Sequence, residues 1–183
     1  MHILSFDRKP DFTAAMTQEE MMEQVMKDYG NEVLYLCYTY VKEWNLAEDL
    51  AQDVFLKVYE KADTFKGEAK LKTWLYKIAA NHCKDYIKSA HHRYSMVTHK
   101  IQMYIKGTSS SVEEITVYRD EKNMLYRHIF KLPLKYREVI FLYYYEELTL
   151  QEISDTLNAN LSTIKSRLTK ARLLLKDAIK GGK

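Results

Sequence analysis

His82, Cys83, His91, His92 and His99 are of types that could ligate a metal. Their spacing matches none of the tetrahedral patterns, in which close ligand pairs come from two segments. Glu113 and Glu114 are adjacent carboxylates, but they lie beside a Gly-Thr-Ser-Ser-Ser run that defines no cleft. There is no glycine-rich phosphate loop and no G-x-S-x-G elbow. These observations point away from an enzyme, and no metal or cofactor is expected. What remains is the chemistry of recognition, which needs cations, short polar groups and aromatic faces held on a scaffold.

The densest such stretch is 149–176, TLQEISDTLNANLSTIKSRLTKARLLLK. Thr149 and Glu152 have the spacing of a capping box. Leu150, Ile153 and Leu157 then share one helical face. Asn158 to Leu161 break the pattern, and Asn tolerates the left-handed backbone that a tight turn needs. Ser162 is a candidate cap for a second helix whose inner stripe is Ile164, Leu168, Ala171 and Leu175. Thr163, Lys165, Ser166, Arg167, Lys170 and Arg172 occupy the other faces. An apolar spine beneath a basic, polar surface is the pattern of a helix-turn-helix reader. An ordinary helical hairpin with a solvated basic face gives the same pattern.

A second stretch interleaves aromatics with lysines. Residues 65–72, FKGEAKLK, form a basic break around Gly67. Thr73 is a candidate cap for the run TWLYKIAANHCKDYIKSAHHR. Leu75, Ile78 and Ala79 are expected inside; Trp74, Tyr76, Lys77, Asn81, Lys84 and Lys88 are expected on the outer surface. Stacked aromatics beside cations suit single-stranded nucleic acid, at ~1–3 kcal/mol per base. Core packing by Trp74 is the competing reading. Upstream, Asn45 and Glu48 suggest a cap for the helix 46–61. Its stripe of Ala47, Leu50, Ala51, Val54, Phe55, Val58 and Tyr59 predicts a helical bundle. Asp49, Gln52, Asp53 and Leu56 lie opposite that stripe.

The rest of the chain must position these stretches. With 46% hydrophobic residues and only 5 Gly and 2 Pro in 183, long helices are favoured. The expected fold is all-α, with two small helical domains joined by a flexible linker. The boundaries are an N-terminal arm 1–17, a bundle 18–92, a linker 93–118 and a helix-turn-helix domain 119–180. Thr17 with Glu20 opens the first helix, and Pro133 opens another at its first position. The net charge of +3 is small, but from Ser162 onward Asp177 is the sole acid among seven Lys and Arg. Cys37 and Cys83 make no disulfide framework, which suits a reducing cytoplasm. The first residues show no signal-peptide core.

Three runs occur together: DLAQDVFLKVYEK, TWLYKIAANHCKDYIK, and LPLKYREVIFLYYYEELTLQEIS with STIKSRLTKAR. In this order the chain resembles the extracytoplasmic-function sigma factors, initiation subunits of bacterial RNA polymerase, over roughly 18–92 and 119–180. The resemblance implies that Asp49, Gln52, Asp53 and Leu56 dock on the clamp coiled coil of the largest subunit of core RNA polymerase. It implies that Phe65, Lys70, Lys72, Thr73, Trp74, Tyr76, Lys77, Asn81 and Lys84 open and read the −10 element as a single strand. Ser162, Thr163, Lys165, Ser166, Arg167, Lys170 and Arg172 would read the −35 element as a duplex. The linker would thread toward the polymerase active site. Many members are restrained by an anti-sigma factor, often membrane-bound, so such a partner is implied, without membrane insertion of this chain. Two departures stand out: Glu147 and Asn158 occupy positions where the family usually or often has Gly. A stand-alone regulator with a helix-turn-helix and a protein-interaction adaptor are the other readings the residues allow.

Overall fold

The computed structural model describes residues 17–65, 67, 70–101 and 122–180. The expected arm, apart from Thr17, and most of the expected linker, including Glu113 and Glu114, lie outside these residues. The described part is helical: α1 (Gln18–Val41), α2 (Trp44–Glu60), a 3-10 turn (Ala62–Thr64), α3 (Leu71–Ile101), α4 (Lys122–Lys131), α5 (Leu134–Tyr144), α6 (Leu150–Leu157) and α7 (Leu161–Lys180). The all-α expectation holds, with α1–α3 forming one cluster and α4–α7 the other.

Local chemistry fixes several of the helix ends. Thr17 and Glu20 form the expected capping box on α1, and Thr149 and Glu152 form the one on α6. Asn158 ends α6 at φ 50°, in the left-handed region. Glu147 stands at φ 53° and Lys42, which ends α1, at φ 61°. α1 runs through Gly30 without a break.

Other starts differ from the sequence expectation. α2 is capped by Glu43, whose carboxylate accepts the N–H groups of Asn45 and Leu46. Asn45 is therefore inside the helix. A two-oxygen carboxylate can satisfy two of the free N–H groups of a first turn, and its charge suits that helix end. α3 starts at Leu71, so Thr73 is a buried helical residue and not a cap. α3 also continues to Ile101, so the expected linker start at 93 falls within a helix. Pro133 precedes α5 as its N-cap instead of opening it.

The α2 stripe is buried as its spacing demands, except that Tyr59 at its edge is 40% exposed. It packs with Val33, Leu36 and Cys37 of α1 and Leu75, Ala79 and Cys83 of α3 in the core. In the C-terminal cluster, Val139, Ile140 and Leu142 of α5 join Ile153 and Leu157 of α6 and Ile164, Leu168 and Ala171 of α7. The two clusters also touch each other: α1 packs on α5, and α3 packs on α6.

Candidate nucleic-acid interface

The aromatic-basic stretch builds one wall of an open cleft. Trp74 of α3 is half-buried, with its ring 5.3 Å from that of Phe65. Lys77, Ile78 and Asn81 follow along the helix at three- and four-residue spacing, so they share its face. Lys57 and Lys61 from the end of α2 close the other side, with His82 and Asp85 at the rim. The cleft has a volume of about 450 Å³. Cations on both walls of an aromatic-floored cleft are suited to a polyanion that carries flat rings. Lys57 and Lys61 were not among the residues read from the sequence, and His82 was read there only among possible metal ligands. Lys57 and Lys61 lie at the end of a helix whose stripe drew attention to its opposite side, and nothing local places that end against α3.

Not every residue of the stretch faces this cleft. Tyr76 is wholly buried rather than on the outer surface, and its hydroxyl donates to Glu146. Burial and the neighbouring Glu146 carboxylate push its phenol well above the ordinary value. Thr73 is also buried. Lys70, Lys72 and Lys84 form ion pairs of 3.1 Å with Glu152, Glu146 and Glu138. All three carboxylates belong to the C-terminal cluster.

On α2, Asp49, Gln52, Asp53 and Leu56 are exposed together, with Leu56 at 64%. That face holds an apolar side chain among acids with no covering element in the described residues. Asp53 also contacts His82 at 3.3 Å.

The helix-turn-helix is α6, a turn at Asn158–Asn160, and α7. Ser154 Oγ donates to the Ala159 carbonyl and ties the turn to α6. α7 begins at Leu161, so Ser162 lies in its first turn and does not cap it; the Ile164 N–H bonds to the Asn160 carbonyl. Ile164, Leu168 and Ala171 are buried as expected. Ser162, Lys165, Ser166, Lys170 and Arg172 are exposed, and Thr163 is half-buried. Arg172 donates to the Tyr144 hydroxyl at 2.8 Å and lies over the rings of Tyr143 and Tyr144. Arg167 turns inward to Glu138 at 3.2 Å.

Residues 25–93 match the family model for Sigma-70 region 2, and residues 122–175 match that for Sigma-70 region 4. The ECF RNA polymerase sigma factor SigW of Bacillus subtilis (strain 168) is 32% identical over 169 residues, covering 88% of this chain and 90% of the relative. The chain belongs to the extracytoplasmic-function sigma factors. The Escherichia coli (strain K12) sigma-E factor is 26% identical over 86% of this chain and 91% of its own length. The fold is that of the sigma factor RpoE from Bartonella quintana, solved with the anti-sigma factor NepR. It gives a TM-score of 0.69 at 21% identity, over 88% of this chain and 98% of that one. CnrH, solved with the cytosolic domain of CnrY, matches at 0.63 and 17% identity, over 90% and 91%.

As a sigma factor, the chain serves transcription initiation, binds DNA through a helix-turn-helix and is not itself an enzyme. The cleft lies within the region 2 match, and the helix-turn-helix within region 4. No described helix is long and apolar enough to cross a membrane.

Proposed function

We propose that this sigma factor opens the −10 element with its region 2 cluster and reads the −35 element as a duplex with α7. The observation that carries this is the cleft at Trp74, Lys77 and Asn81. It offers an aromatic face, two amide or ammonium donors and flanking Lys57 and Lys61, all in a chain of this family. A displaced base can stack on Trp74 while phosphates meet the lysines, which offsets the cost of unstacking. On α7, Ser162, Thr163, Ser166 and Lys170 serve the groove and its edges, while Lys165 and Arg172 serve the backbone. Arg167 is the candidate for bidentate base readout once it leaves Glu138.

The exposed α2 face of Asp49, Gln52, Asp53 and Leu56 is assigned to core RNA polymerase, at the clamp coiled coil of its largest subunit. An anti-sigma factor is the second assigned partner; the similar RpoE of Bartonella quintana was solved with one, NepR. The localisation that goes with this reading is the cytoplasm, where core polymerase and DNA are met.

Run-off transcription with purified core enzyme tests the reading. The chain should direct start-site-specific transcripts that neither component yields alone. Trp74→Ala and Asn81→Ala should reduce permanganate reactivity of −10 thymines more than they reduce duplex binding. Strong promoter footprints by the free chain, unchanged by core, would sink the proposal. So would a loss in Trp74→Ala wholly accounted for by lower thermal stability.

A further inference from the structure

Glu138 lies on α5 and is 2% exposed. One of its oxygens accepts the Tyr40 hydroxyl at 2.7 Å and meets Lys84 Nζ at 3.1 Å. The other meets Arg167 at 3.2 Å. Thus a single buried carboxylate holds a cation from α3 of region 2 and a cation from α7 of region 4. Two further region 4 carboxylates each hold a region 2 cation. Glu146 meets Lys72 at 3.1 Å and accepts the Tyr76 hydroxyl, and the Lys72 ammonium also donates to the Glu146 carbonyl at 2.9 Å. Glu152 meets Lys70 at 3.1 Å.

We infer that Glu138 is the keystone of an autoinhibitory latch, in which region 4 carboxylates occupy cations of both DNA-reading surfaces while the chain is free. The inference rests on the proposed role of Arg167 and on the −10 role that the family resemblance implies for Lys70, Lys72 and Lys84. A carboxylate and a phosphate are anions that compete for the same ammonium or guanidinium, so each pair that forms removes a phosphate contact. Because Lys84 and Arg167 share one carboxylate, removing its charge frees a cation on each surface in the same step, whereas parting the clusters separates Glu138 from Lys84 alone, since Arg167 lies with it in region 4. Lys84 and Arg167 keep side-chain exposures of 26% and 27%. They can therefore turn to solvent or phosphate once released, without being stranded in an apolar core. Binding competence of the free chain is then scaled by the fraction of molecules whose latch is open.

The test uses the full chain without polymerase. Glu138→Gln keeps the side-chain shape and an acceptor for Tyr40 but removes the charge. Small-angle scattering should show a larger radius of gyration than for the natural chain in the same buffer. Fluorescence anisotropy with a mixed-sequence single strand and a mixed-sequence duplex should show affinity raised about tenfold for both, as when an open fraction of about one-tenth becomes dominant. Circular dichroism checks that helix content is retained. If Glu138→Gln does not fold, Glu146→Gln carries the same two readouts, with the single strand the more affected. Unchanged radius, or a larger radius with unchanged DNA affinity, would overturn the latch. Failure of run-off transcription by a chain that opens and binds as described would instead count against the sigma mechanism above.

Discussion

Glu147 holds a backbone conformation, φ 53°, that costs an L-residue with a side chain about 1 kcal/mol or more relative to glycine. The turn still forms because its neighbours fix it: the Leu148 N–H bonds to the Leu142 carbonyl, and Leu148 is buried. Glu147→Gly should therefore raise unfolding stability by about 0.5–1 kcal/mol, less than the full relief because glycine also loosens the unfolded chain. A urea denaturation midpoint would show it. Asn158, at φ 50°, has a short amide side chain that this region tolerates, so Asn158→Gly should change the midpoint less. Glu152 offers a second measurement. Burial works against its charge, but the Thr149 N–H, the Thr149 hydroxyl and Lys70 outweigh it, and the carboxyl is held below its ordinary value. A group depressed in the folded state stabilises above its unfolded value and loses that contribution as pH falls through the folded one. The thermal-midpoint difference between the natural chain and Glu152→Gln should be full at neutral pH and shrink in acid.

At the scale of elements, α2 separates its two duties cleanly. One side is core, and the other presents Asp49, Asp53 and Leu56 to solvent. Replacing both aspartates with Lys should leave folding nearly unchanged, because neither is buried, and should weaken core polymerase binding by several kcal/mol if that partner is cationic there. An unaltered pull-down titration would remove this face from the interface. The capping boxes of α1 and α6, the α2 stripe and the buried side of α7 were all legible in the sequence, because each depends on residues within one or two turns. Local spacing did not reveal that Glu43 outcompetes Asn45 as a cap, or that α3 starts before Thr73. Adjacent candidates at a helix start differ by amounts that packing of the following turn can reverse. Tyr76 is the most instructive miss. Its neighbours Trp74 and Lys77 face the cleft, and only the packing that brings Glu146 to its hydroxyl shows that position 76 is inside.

The whole molecule is joined by polar contacts across long sequence separations. Arg137 is 3% exposed, and its guanidinium donates to the carbonyls of Thr39 and Tyr40 at the end of α1, and to those of Phe130 and Leu132. Desolvation lowers its pKa, with Glu138 acting in the other direction. Its ring neighbour Phe130 also contacts Tyr38 at a centroid distance of 5.1 Å. Nothing in local periodicity announces such pairings, since the partners are up to 98 residues apart. They also give a reason for part of the 15 tyrosines: Tyr40 and Tyr76 each bring an apolar ring and one donor to a buried carboxylate. Arg137→Leu should cost about 3 kcal/mol, as lost charge-assisted hydrogen bonds would. It should also separate the unfolding of the two helical clusters. Calorimetry would give one transition for the natural chain and two for the variant; a single transition in both would show that the clusters are held together by other contacts.

Cys37 and Cys83 face each other from α1 and α3, and both have no exposed surface. The hydrogen bond with Cys83, and then burial, raise the Cys37 thiol far above the range where thiolate forms. Alkylating reagents need both contact and thiolate, so the native core should be silent to them. These two sulfurs make the region 2 bundle its own clock. The rate at which iodoacetamide marks them counts how often α1 and α3 part, with no label engineered in. A partner that clamps the bundle would slow that clock without touching either cysteine.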